Sequence, residues 1–180
     1  ELSIRVLAHV LREATRDVPV TLIRTPLGWS NDVWEYRHPL DFLGKDGGAG
    51  IGSGPGMAVG AALALKDSGR LPLAVLGDGD FMFSSSALWT AAHYRIPLLI
   101  VVANNQSYFN DEIHQERIAR QRHRPVENKG IAQRMTDPEI DISAIARGQG
   151  AIAYGPARNA GELAHAMRAA VSRVRDGALC

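Results

Sequence analysis

The chain has little cysteine, almost no net charge and no long apolar run, and each shortage removes a class of function. Its one cysteine, Cys180, is the last of 180 residues. An internal disulfide is therefore excluded, and a reducing, cytoplasmic compartment is expected. Twenty basic residues against nineteen acidic ones leave a formal net charge of +1. Such a balance creates no global field to attract nucleic acid or an anionic membrane surface. No apolar stretch has the length of a membrane span, and none is laid out as a signal peptide, so no membrane partner is expected. A strict G-x-G-x-x-G is also missing, and no apolar strand immediately precedes the glycines of Gly47–Gly60, so a dinucleotide site is a poor reading. No internal repeat is evident.

What remains is the composition of a globular α/β domain. The chain is 46% hydrophobic and 22% charged, and its length suits one domain, residues 1–180, with a full core. Its eighteen glycines are many and concentrate between Gly44 and Gly60. The first residue is Glu1 rather than Met, and the chain stops after Asp176–Cys180, where a further strand is expected. Both ends read as cuts, so the domain is expected to be a fragment, or one half, of a larger enzyme.

The rest is arranged around Leu71–Asn105. Two apolar runs, Leu73–Leu76 and Leu98–Ala103, flank a helix-like segment, Ser84–Arg95. Strand, helix and strand at this spacing predict a βαβ unit with parallel strands. The first run ends in Gly77-Asp78-Gly79 and the second in Asn104-Asn105. Both polar motifs then fall at the carboxyl ends of parallel strands, where open α/β sheets bind ligands.

The residue types at that edge have a chemistry. Gly77 and Gly79 allow a tight turn and close approach, because neither carries a Cβ. Asp78 offers a hard anionic oxygen, and Asn105 adds an amide oxygen 27 residues later. With a backbone carbonyl these make half an octahedron, and Mg²⁺ commonly fills the remainder with phosphate and water. Backbone N–H groups of the glycine loop and a helix start near Ser84 would hold phosphate oxygens. A Mg-diphosphate site is one reading. A sheet-edge turn capped by Asp78 is the other, and Gly-Asp-Gly alone favours it.

Gly77-Asp78-Gly79 followed by Asn104-Asn105 resembles the diphosphate-binding motif of the thiamine-diphosphate (ThDP) enzymes. Ser86–Ala92, Tyr94 and Ile96-Pro97 resemble the acetolactate synthase and benzoylformate decarboxylase branch of that superfamily. The similarity is good over residues 18–110 and weak elsewhere. It implies the diphosphate domain of the ThDP-binding fold: α/β, a mostly parallel sheet with helices on both faces. It implies ThDP and Mg²⁺ as cofactors and a 2-oxo acid as substrate. By the same resemblance Asp78, the Asn105 side chain and the Ser107 carbonyl bind Mg²⁺. Gly77, Gly79, Asp80 and the backbone at Ser107-Tyr108 line the diphosphate. Ala49, Gly50 and Ile51 hold the aminopyrimidine ring, with Ile51 as the wedge that bends the cofactor. Asp80 departs from the family's small residue; beside a diphosphate its carboxylate must turn away, meet Mg²⁺ or meet a cation. The family's activating glutamate belongs to a separate pyrimidine-binding domain, in the same longer chain or in a partner chain. No stretch here resembles that domain, and neither Glu35 nor Glu112 replaces its glutamate. No catalytic side chain is assigned. Homo-oligomers are expected, since the family's site forms between subunits.

The flanking segments complete the expectation. Helices are predicted over Leu2–Arg16, Met57–Lys66, Asp141–Arg147 and Asn159–Arg175, and short strands over Val18–Ile23 and Ala151–Tyr154. Thr25–Asp46 is a long loop carrying Trp29, Trp34, Tyr36 and Phe42. Its aromatics predict a subunit interface ahead of a substrate wall. Trp89 and Tyr94 are expected in the core or at an interface, and His93 at the surface. Glu112–Lys129, rich in arginine, reads as a solvated helix or flap.

Overall fold

The computed structural model describes residues 2–44 and 50–180. Among them, β1 (Val20–Arg24), β2 (Leu71–Gly77) and β3 (Leu99–Ala103) form one parallel sheet in the order β1-β2-β3. β2 is central and buried from Leu71 to Leu76, as a strand covered on both faces must be.

Alternation along the strands divides the core in two. Leu22, Leu73, Val75, Leu99 and Val101 pack with Leu7 and Leu11 of α1 (Ile4–Ala14) and with Leu163, Met167 and Val171 of α7 (Ala160–Arg175). Ile23, Ala74, Leu76 and Leu98 pack on the other side with Ala58 and Val59 of α2 (Gly54–Ala64) and with Leu88 and Ala91 of α4 (Ala87–His93). The expected parallel α/β sheet with helices on both faces is what forms.

Its edges are closed by short additions. Leu22 bridges to Phe42, and the Leu43 N–H donates to the Leu22 carbonyl at 2.9 Å; at the far edge Leu98 bridges to Leu179. Covered edges leave fewer unpaired backbone groups open to another chain.

Three elements differ from the sequence expectation. The helix predicted over Ser84–Arg95 is α4, which starts at Ala87, and an additional helix, α3 (Asp78–Phe83), precedes it directly at the end of β2. Ser84–Ser86 separate them, because serine competes for backbone hydrogen bonds; the Ser84 hydroxyl donates to the Gly52 carbonyl at 2.6 Å. Helix α2 begins at Gly54 rather than Met57, with Pro55 in its first turn, where a missing N–H is tolerated. Ala151–Tyr154 is not a strand; the Ile152 N–H donates to the Leu179 carbonyl at 2.9 Å, beside the chain end.

Part of the aromatic loop packs on the chain itself. Trp34 is buried in the chain's own core, and Arg12 donates to the Val33 carbonyl at 3.1 Å. The loop is tied down again at a 3-10 turn, Pro39–Asp41, where Arg70 pairs with Asp41 and donates to Thr21 Oγ1 at 2.7 Å. Trp89 and Tyr94 are exposed rather than in the core, as is His93, whose ring stacks on Trp89. Helix α5 (Phe109–Gln121), a second 3-10 turn (Glu127–Gly130) and α6 (Ile142–Gly148) complete the path to α7. No helix of the described residues is long and apolar enough to cross a membrane.

Candidate functional site

The carboxyl ends of all three strands meet at one edge. β1 delivers Arg24, β2 delivers Gly77 and Asp78, and β3 delivers Asn104 and Asn105. Asp78 is buried at the first position of α3, with Gly77 extended before it. Its Oδ1 accepts from the Gly79 N–H at 3.0 Å, and its Oδ2 accepts from the Ser107 N–H at 3.2 Å. Asn105 Oδ1 accepts from the same Ser107 N–H at 3.1 Å. A carboxylate oxygen and an amide oxygen 27 residues apart thus converge on a single donor.

The Ser107 N–H is shared between the two oxygens, and the Asp78 carboxylate is buried while Asn105 is exposed. Burial pushes the Asp78 carboxyl above its ordinary value of 3.8, while N–H bonds from Gly79, Gln106 and Ser107 pull it down without offsetting the burial. A cation at these oxygens would relieve that desolvation. The donors present, one carboxylate, one amide oxygen and nearby backbone carbonyls, suit a hard cation. Among the described residues no three His, Cys, Asp or Glu side chains cluster in a way that would hold a metal.

Gly79 forms a cradle beside this group. A Cβ built there would lie 2.4 Å from Tyr108 Cε1 and 3.2 Å from Ile51 Cδ1, so only glycine fits. Ile51, 49% exposed, and Tyr108 therefore flank Gly79 from two directions. The Tyr108 ring also meets Phe83 edge-on, with centroids 6.1 Å apart. Gly50, Ile51, Gly77, Asp78, Gly79, Asp80, Asn105, Ser107 and Tyr108 all belong to this edge. Ala49 lies outside the described residues.

Asp80 meets a cation, and its carboxylate faces away from Gly79. Its Oδ2 pairs with Arg24 Nε at 2.8 Å, and its Oδ1 accepts from the N–H groups of Gly52, at 2.6 Å, and Gly54, at 3.3 Å. It caps the start of α2, which lies earlier in the chain, rather than the turn that follows it.

Sequence reasoning missed two participants. Arg24 ends β1 at the same edge as Asp78, and that topological position was the available signal. Glu112, read as part of a solvated helix, is buried: it accepts from the Ser107 hydroxyl and lies 3.6 Å from Arg134. Arg134 reaches it because the chain returns beside the loop, with the Tyr108 N–H donating to Gln133 and the Met135 N–H to Gln106. The rest of α5 behaves as expected, with Glu116 pairing to Arg120 at 2.8 Å and to Lys129. A cavity of about 480 Å³ between α5 and the second 3-10 turn is lined by His114, Arg122 and Arg124 among others. It contains none of the edge residues above.

Residues 25–179 match the family described as "Thiamine pyrophosphate enzyme, C-terminal TPP binding domain". Benzoylformate decarboxylase from Pseudomonas aeruginosa is 33% identical over 138 residues, which are 75% of this chain and 24% of that protein. A putative acetolactate synthase large subunit from Mycobacterium tuberculosis is 34% identical over 133 residues, 72% of this chain and 24% of that one. The chain thus spans about a quarter of the length of these relatives. A solved thiamine diphosphate-dependent 4-hydroxybenzoylformate decarboxylase from Rhodococcus jostii superposes on 95% of the chain with a TM-score of 0.77 and 25% identity, and 30% of that chain is covered.

Proposed function

Because the chain belongs to the thiamine pyrophosphate enzymes, as their C-terminal TPP-binding domain, we propose that its carboxyl edge binds the cofactor as a Mg²⁺-diphosphate and serves a 2-oxo acid decarboxylase or acetolactate synthase-like enzyme. The observation that carries this reading is the convergence of Asp78 and Asn105 oxygens on the Ser107 N–H. In this proposal the Asp78 carboxylate, the Asn105 amide oxygen and the Ser107 carbonyl take Mg²⁺. Gly77, Gly79, the backbone of Asp80, and Ser107-Tyr108 receive the diphosphate. Gly50 and Ile51 face the ring system, with Ile51 as its wall.

Bound thiamine diphosphate supplies an electron sink for the pair released when a 2-oxo acid loses CO₂. The chain's own groups hold and orient. Asp78 neutralises cation charge where burial has already made its lone charge unfavourable. Ile51 is β-branched and stiff at χ1, so it offers a wall that does not yield. Glu112 fixes the hydroxyl of Ser107 and so the loop that presents the metal-binding carbonyl. No residue here is assigned as the proton acceptor for the cofactor; that role falls to a pyrimidine-binding domain, in the same longer chain or a partner chain. We further propose a homo-oligomer. Helix α2 is apolar around most of its circumference, with one side buried and Leu63 exposed, and Trp89 and Tyr94 of the α4 region are exposed as well.

Calorimetric titration of ThDP tests the reading, with Mg²⁺ and with EDTA, for wild type and Asp78→Ala. Binding that requires Mg²⁺ and disappears in Asp78→Ala is the expected result. Binding indifferent to both would overturn the metal assignment.

A further inference from the structure

We propose that Arg24 and Asp80 form a positioning pair that holds Ile51 at a set place beside Gly79. The proposal rests on the cofactor reading above, and it assigns a task to two side chains that touch neither the metal nor the diphosphate.

The device starts in β1. Leu22 pairs with Leu73, but Arg24 pairs with Ala74, so the register slips by one residue between them. A regular strand would put Arg24 on the face of Leu22, under α1 and α7. Such slips re-aim a side chain, and Arg24 turns instead to the α2 side, where Ala74 packs. There, among the described residues, its guanidinium meets Asp80 Oδ2 at 2.8 Å, Ser53 Oγ at 3.0 Å, the Gly50 carbonyl at 3.2 Å and Met57 Sδ at 3.8 Å. A planar fork with several fixed donors suits that task better than a lysine ammonium would.

Gly50 and Ser53 bracket Ile51 from the β1 side. Helix α3 grips the same turn from the other side. Asp80 accepts from the Gly52 and Gly54 N–H groups, and the Ser84 hydroxyl donates to the Gly52 carbonyl. Gly52 has φ +96°, and a Cβ there would lie 2.8 Å from Phe83 Cβ. At Gly54 a Cβ would meet Asp80 Oδ2 at 2.2 Å. The turn is thus stitched to β1 and α3 at Gly50, Gly52, Ser53 and Gly54, which leaves the Ile51 side chain projecting next to the Gly79 cradle.

The pair is well shielded, with side chains 12% and 8% exposed for Arg24 and Asp80. Charge-assisted bonds in such surroundings are strong, and removing Arg24 takes the paired cation from the buried Asp80 carboxylate. The diphosphate end of a ligand depends on Asp78 and Gly79, whereas the ring end depends on Ile51. Loss of the pair should therefore weaken a ligand that has a ring far more than one that is only a diphosphate. A merely structural role would weaken both alike.

The experiment uses the complete gene product and two probes, Mg-pyrophosphate and Mg-ThDP, measured by calorimetry. Amide exchange over residues 50–56 is followed by mass spectrometry without ligand. In Asp80→Ser and Arg24→Gln, ThDP should bind about tenfold more weakly, the scale of one charged hydrogen bond. For Arg24→Gln, pyrophosphate affinity should stay within about twofold, and exchange at Gly52 should quicken in both variants. The milder Asp80→Asn, which retains an acceptor for the Gly52 N–H, should fall between, and so should Arg24→Lys; these two keep the test decisive if the harsher variants do not fold. Equal losses for both probes, or no change in any readout, would overturn the positioning role while the cofactor reading stands. Failure of the wild type to bind ThDP would overturn both.

Discussion

Glu112 accepts a hydrogen bond from the Ser107 hydroxyl and lies 3.6 Å from the Arg134 guanidinium, with 5% of its surface exposed. Nothing in its sequence neighbourhood, Asn110-Asp111-Glu112-Ile113-His114, marks it as buried, because its burial comes from residues 133–135 returning over the Ser107 loop. At this scale the prediction concerns the loop. Groups that orient metal ligands typically carry ~10- to 100-fold in metal affinity, so Glu112→Ala should weaken Mg²⁺ binding by about tenfold or more. Titration of Mg²⁺ at saturating ThDP measures it; unchanged affinity would mean that Ser107 is held by its backbone alone. Asp78, by contrast, was legible in advance. What the sequence shows is its place: Asp78 follows one apolar run and Asn104-Asn105 follow the next, so both fall at one sheet edge. The direction in which Asp80 points was not legible, because Arg24 is 56 residues away in the chain and reaches it only through the slip in β1.

Helix ends separate the legible from the illegible elements. At α7 the Asn159 side chain accepts from the Glu162 N–H at 3.0 Å, and Glu162 accepts from the Arg158 N–H at 2.6 Å. This reciprocal cap, with an apolar stripe from Leu163 to Val174, reads directly from sequence, as does Asp141 accepting from the Ala144 N–H before α6. Asn159→Ala should therefore cost ~1 kcal/mol, and Asn159→Ser should recover most of it, as thermal melts will report. Helices α2 and α3 give no such signal. Both start with glycine or sit against it, residue types that disfavour helix on their own. They form because Pro55 suits a first turn, Asp80 satisfies the Gly52 and Gly54 N–H groups, and both helices pack on the sheet face of Ala74 and Leu76.

Across the whole molecule two carboxylates push stability in opposite directions with pH. Asp41 is held below 3.8 chiefly by the Arg37 N–H, helped by Arg70 and the His38 N–H. Its contribution is present above 3.8 and is lost as pH falls through its depressed value. Asp78 is raised by burial. Between 3.8 and that raised value the folded state binds the extra proton, so stability falls as pH rises through the window and the penalty persists at neutral pH. Metal-free Asp78→Asn should accordingly melt higher than wild type at pH 7 and show a flatter profile down to pH 5. Mg²⁺ with ThDP should raise the wild-type melting temperature at pH 7 and leave that of Asp78→Asn nearly unmoved. Scanning calorimetry in EDTA and in Mg²⁺ tests both statements, and a lower melting point for the metal-free variant would show that Asp78 stabilises the fold by its hydrogen bonds.

The amino-acid sequence by itself determined the βαβ centre, the capped helices α6 and α7, and the pairing of Gly77-Asp78-Gly79 with Asn104-Asn105 at one sheet edge. These rest on periodicity, local caps and strand-end position, all of which act over a few residues. Only the tertiary structure decided that the aromatic loop folds Trp34 into the chain's own core. It likewise decided that a short helix, α3, starts directly at the end of β2, that Glu112 is buried behind Ser107, and that Arg24 and Asp80 clasp the Ile51 turn. Each of these depends on a contact between segments far apart in the chain. Their partners are chosen by how the sheet twists, slips and is covered, which no local pattern records.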